Sequence, residues 1–150
     1  MRYQPESMTR IIQVIVPEAA RIDVTFFGPV GFADRIDAIE VVAPSVQSLG
    51  LGAILIDYTH AWVDDSTVEA FKELERRIQA CGWLKGLRVA LVSPAEFHAV
   101  PTEQMSREVG FEIRRFYTRP AAVAWLSKPK LRDQRGARSG LNGARSHSLW

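Results

Sequence analysis

Residues 53–58 read Ala53-Ile54-Leu55-Ile56-Asp57-Tyr58, a short and nearly continuous apolar run. A strand buried on both faces of a sheet reads this way, because layers on each side exclude water from alternate residues. Leu87 to Val92 (LRVALV) is a second such run, halted by Ser93-Pro94. Between the two, Val68, Phe71, Leu74, Ile78 and Cys81 recur at helical spacing, with Gly82 at the end. Strand, helix and strand in that order predict a parallel βαβ crossover.

Working outward, residues 10–16 and 21–28 are rich in Ile, Val and Phe, and Pro17-Glu18-Ala19-Ala20 separates them. They predict two strands joined by a short turn, the second ending at Gly28-Pro29. Ile36, Ile39, Ala43 and Val46 then mark an amphipathic helix over about 33–48. Pro44 should bend or divide it, since proline lacks an N–H and crowds the carbonyl of Glu40. On the C-terminal side, residues 95–109 have helical content interrupted by Pro101, which predicts a turn and then a helix. Phe111 to Tyr117 predicts a last strand. Thr118 is placed to cap a closing helix through Ser127, with Pro120 in its first turn and Trp125 and Leu126 as core anchors.

The predicted order is β-β-α-β-α-β-α-β-α, a single α/β domain with a mixed sheet, βαβ crossovers and covering helices. The domain spans 10–127, between an extension at 1–9 and a basic tail at 128–150. The 150 residues are 47% hydrophobic and 24% charged, enough for one core without disulfides. Cys81 is the single cysteine, which points to a reducing, cytoplasmic compartment. The apolar run at 11–16 is broken by Gln13, too short for a signal peptide or a membrane span. Residues 1–127 hold 13 Lys/Arg against 16 Asp/Glu, and residues 128–150 hold 6 against one. The tail is therefore basic, and its Arg, Gly and Ser content predicts disorder. Without interleaved aromatic residues it makes a weak nucleic-acid site, so nucleic acid is not expected as a partner.

Catalytic signatures are absent: no G-x-S-x-G, no phosphate-binding G-x-x-x-x-G-K-[ST], no G-x-G-x-x-G and no H-E-x-x-H. His60, His98 and His147 are scattered, and no metal site, cofactor or catalytic residue is expected. The informative place follows Asp57, where Thr59 to Thr67 is expected to form a loop leading into the next helix. Polar residues at the carboxyl end of an inner strand, opening a helix N-terminus, are where α/β sheets bind ligands and anions. Ser66-Thr67-Val68-Glu69 fits the capping box, in which Ser66 accepts from the backbone and Glu69 reaches back. Ser66 is thus a helix cap, a regulatory site, or both. Asp57, His60 and Ser66 do not make a triad, because all three come from one loop and nothing orients them.

Ile56 to Val68 (IDYTHAWVDDSTV) resembles the central motif of STAS domains, the anti-sigma factor antagonist family. In that motif a strand ends in Asp, and an apolar pair then leads to Asp-Ser-Ser-Gly-Leu at a helix start. Asp64 matches the Asp, Asp65 stands for the first Ser, Ser66 matches the second and Thr67 stands for Gly. Leu91-Val92-Ser93-Pro94 is similar to the family's next strand and turn. Phe116 to Leu126 (FYTRPAAVAWL) resembles the ending of the related SpoIIAA-like, STAS/SEC14-type group. The resemblance implies a non-enzymatic regulatory or protein-interaction module, in the antagonist form switched by phosphorylation of Ser66. Kinase-like or sigma-regulatory proteins would be its partners. The SEC14-type relationship implies an alternative, a binding module for a small apolar or lipid-like ligand.

Overall fold

The computed structural model describes residues 8–63, 68–93 and 103–129. Five strands, β1 (Arg10–Val16), β2 (Arg21–Val30), β3 (Ala53–Val63), β4 (Arg88–Val92) and β5 (Glu112–Phe116), form one sheet in sequence order. β1 runs antiparallel to β2 across a tight connection, and the other neighbours are parallel. The helices are α1 (Phe32–Leu49), α2 (Val68–Gln79), α3 (Glu103–Val109) and α4 (Arg119–Ser127). Each parallel step moves one strand in the same direction, so right-handed crossovers put α1, α2 and α3 on one face. Among the described residues only α4 packs on the other.

The larger core lies under the crossover helices, where Ile22, Val24, Phe26, Ile54, Tyr58, Val89 and Leu91 meet Ala38, Val42, Val46, Leu74 and Ile78. The smaller one holds Leu55, Ala90, Val92, Ala122 and Trp125 beneath α4. β4 is buried at all five positions because both layers cover it. Gly28 sits inside β2 at φ +89°, and the Met8 carbonyl lies 2.5 Å from where a Cβ would stand. Any side chain there would displace the segment leading into β1.

Three expectations are corrected. Pro44 does not divide α1, which runs unbroken for 18 residues. Pro44 is exposed, so water can serve the carbonyl that loses its partner. The buried stripe of α1 is Phe32, Arg35, Ala38, Val42 and Val46, turned from Ile36, Ile39 and Ala43, which are only partly buried. A buried arginine on the stripe hid its true phase. Finally, the loop expected after Tyr58 is strand as far as Val63, where Phe27 to Val30 pair with His60 to Val63. β4 stops at Val92, opposite Asp57, so the β2–β3 pair projects beyond β4. Residues 1–7, 94–102 and 130–150, including most of the expected tail, lie outside the described residues.

Candidate functional site

Asp57 stands where β3 loses its β4 neighbour, and its side chain is buried. The register with β2 shifts just beyond it, leaving Tyr58 and Thr59 opposite Phe26 alone. Such a bulge frees a backbone N–H from the ladder. Asp57 takes it: Thr59 donates from its N–H at 2.8 Å and its hydroxyl at 2.5 Å to Oδ1. Arg119, the first residue of α4, donates from Nη1 to Asp57 Oδ2 at 3.0 Å and from Nη2 to Asp23 Oδ2 at 2.7 Å. Asp23, equally buried on β2, also accepts from Arg21 Nε at 2.6 Å. One guanidinium therefore bridges two carboxylates from adjacent strands. Occupied in this way, Asp57 anchors a bulge and a helix and is not poised as a general base.

The far end of α4 is held in the opposite sense. Arg88, at the start of β4, donates from Nη1 to the carbonyls of Trp125 (2.9 Å) and Lys128 (2.6 Å), and from Nη2 to that of Pro129 (3.3 Å). Its guanidinium also lies over the Trp125 ring, 5.0 Å from the centroid. A cation on the last carbonyls of a helix satisfies acceptors and complements the dipole. Thr118 caps the start, accepting from the Ala121 N–H at 3.3 Å, as the sequence predicts.

Beyond the bulge, Thr59, His60 and Trp62 of β3 are exposed, while on β2 Phe27 and Pro29 are half-buried and Val30 is buried. His60 stacks on Phe27 with centroids 5.3 Å apart, and Arg10 lies over the same Phe27 ring. Trp62, two residues further along β3, is 52% exposed. Val63 then ends the strand. Asp64, Asp65, Ser66 and Thr67 lie outside the described residues, so the capping box and the phosphorylation candidate Ser66 are located only by their flanks, β3 and α2.

On the opposite face, Phe26 and Tyr58 stack at 5.0 Å. The Arg35 guanidinium lies over the rings of Phe32 and Tyr58 at 5.0 and 5.3 Å. Burial pushes the Tyr58 hydroxyl above the usual phenol range, and the Arg35 charge draws it partly back. Arg35 and Tyr58 line a cavity of about 100 Å³ between the sheet and the crossover helices, whose other walls include Val24, Ile39, Val42 and Ile78. Burial also pushes the Cys81 thiol up, and its Sγ donates to the Arg77 carbonyl at 3.1 Å, which disfavours the reactive thiolate. Among the described residues no three His, Cys, Asp or Glu side chains could hold a metal together, and no helix is long and apolar enough to cross a membrane.

Sequence reading found Asp57, Thr118 and Trp125 but missed Asp23, Arg119, Arg88 and Arg35. The one local hint was Arg21-Ile22-Asp23, a charged pair at strand spacing within an apolar run.

Two elements shared with known folds, the sequential mixed sheet and the helix returning across its far face, define the class. The chain has the SpoIIAA-like fold. It is similar to a crystal structure of an uncharacterised DUF3478-family protein with a SpoIIAA-like fold from Shewanella loihica PV-4. The TM-score is 0.51 at 20% identity, covering 84% of this chain and 98% of that one. No family model and no curated protein matches the chain.

Proposed function

We propose that this chain is a non-enzymatic regulatory module that binds a protein partner through the projecting end of β2 and β3. Phosphorylation of Ser66 would switch that contact. The observation that carries the reading is Trp62, half exposed on the projecting strand and two residues before the 64–67 segment. Tryptophan is enriched among the residues that carry most of the binding energy at protein interfaces. The STAS-like motif supports the switch and suggests a kinase-like or sigma-regulatory partner in a cytoplasmic setting. A phosphate on Ser66 would meet the positive end of α2 and the negative charges of Asp64, Asp65 and Glu69. Those effects oppose each other, which would alter the surface without unfolding the domain.

The test is quantitative capture from native-cell extract on wild type, Ser66→Ala and Ser66→Asp, with mass spectrometry of the captured proteins and of the Ser66 peptide. The two variants should differ by about tenfold or more in partner affinity, equivalent to roughly 1.4 kcal/mol. Equal binding by all three proteins, with Ser66 unmodified in cells, would leave Ser66 only its capping role.

The cavity favours a second reading, a binding module for a small apolar ligand. Its size limits that reading: an engineered apolar cavity of about 150 Å³ admits benzene. At about 100 Å³ this one is smaller, too small for a lipid-like chain unless its walls widen. Thermal unfolding with benzene and with short-chain fatty acids separates the cases, since a ligand at 100 times its Kd stabilises by about 2.7 kcal/mol. An unmoved midpoint removes this reading.

A further inference from the structure

β1 is an outer edge of the sheet, and among the described residues it pairs only with β2. Alternate N–H and C=O groups of an edge strand point away from the sheet and can template another strand. Natural edges are usually blunted by charge, proline, a bulge or short length. The opposite edge follows that rule: three of the five residues of β5, Glu112, Arg114 and Arg115, are charged and exposed. β1 does not. Its seven residues pair with β2 without a bulge, and after Arg10 the strand carries no charge. Ile12, Val14 and Ile15 are 50%, 54% and 39% exposed, and Met8 just before them is 47% exposed. Four of the eight large exposed apolar side chains among the described residues thus fall between positions 8 and 15.

We propose that β1 is a homodimer interface, pairing antiparallel with β1 of a second copy about a twofold axis at Gln13. The register argues for a second copy as the occupant. A twofold perpendicular to the sheet keeps each residue on its own face, so opposed positions must share parity. Centring at Gln13 sets Ile12 against Val14 and Ile11 against Ile15, and it opposes the two Gln13 amides, which can both donate and accept. Centring at Ile12 would instead set Gln13 against Ile11 and Arg10 against Val14. The Gln13 register sets Ile11, Ile12, Val14 and Ile15 all against apolar residues and confines Arg10 to the two ends, where it meets Val16. Ile12 and Val14 sit opposite Thr25 and Asp23, on α4's face of the sheet but one strand beyond the Arg119–Asp23 pair, and both are exposed, so the two copies would merge those side chains there.

Sedimentation velocity of the full chain over a hundredfold concentration range tests this. Wild type should reach twice the 16.8 kDa chain mass. Val14→Lys should remain at the single-chain mass, and Arg114→Ala on the opposite edge should behave as wild type. Amide exchange of residues 10–16 in wild type gives a reading that needs no variant, because protection should rise with concentration. A wild type of single-chain mass throughout, a dimer that Val14→Lys leaves intact, or β1 amides equally protected at every concentration would overturn the proposal. The last result would mean that another part of the same chain covers the edge.

Discussion

Asp57 carries a charge in a strand otherwise largely aliphatic, and the cation that bridges it to Asp23 comes from Arg119, 62 residues away. Removing one partner of a buried pair is costly because the remaining charge stays desolvated. The Arg119 side chain is 42% exposed, and solvent screening reduces that cost. Arg119→Ala should therefore destabilise by about 1–3 kcal/mol in urea unfolding, with an unchanged denaturant slope. Arg119→Lys should recover only part, because a compact ammonium lacks the planar fork that reaches two carboxylates. A loss below about 0.5 kcal/mol, the range of ordinary surface changes, would show that Thr59 and Arg21 suffice for the two aspartates. None of this was legible in the sequence beyond the position of Asp57. A charge pair closed by chain reversal has no local pattern, and Arg119 reads as an ordinary first-turn residue beside Pro120.

The elements themselves were largely legible, since periodicity is local. The misreadings fall where a residue's own chemistry outweighs its neighbours. Thr59-His60-Ala61-Trp62-Val63 reads as a loop from its polar residues, yet it gains backbone partners from β2 and continues the strand. Arg35 reads as surface, yet two aromatic rings accommodate its guanidinium in the core. α4 is the converse case, short but fully signalled by Thr118, Pro120 and its apolar residues. It packs on β3, β4 and β5 and is held by an arginine at each end and by Trp125, which packs near Phe116 with centroids 5.6 Å apart. Trp125→Ala should cost about 3–5 kcal/mol by calorimetry or urea unfolding, since among the described residues no second helix lies on that face to close the cavity. A near-neutral substitution with the fold retained would mean that the two arginines alone hold α4.

At the scale of the whole molecule, the two layers are unequal. Among the described residues three crossover helices cover one face, and a single helix covers part of the other. Exposed apolar side chains gather on β1, and Trp62 stands exposed at the projecting β2–β3 end. The first offers a strand edge suited to a second copy, and the second leads directly into the segment that carries Ser66. The central claim is that the projecting end is the partner surface, and hydrogen–deuterium exchange of the chain alone and bound to its captured partner tests it most directly. Binding should slow exchange in residues 59–69 and leave α4 and β5 unchanged. Protection confined to the crossover helices or to β5, with residues 59–69 exchanging as in the free chain, would contradict it.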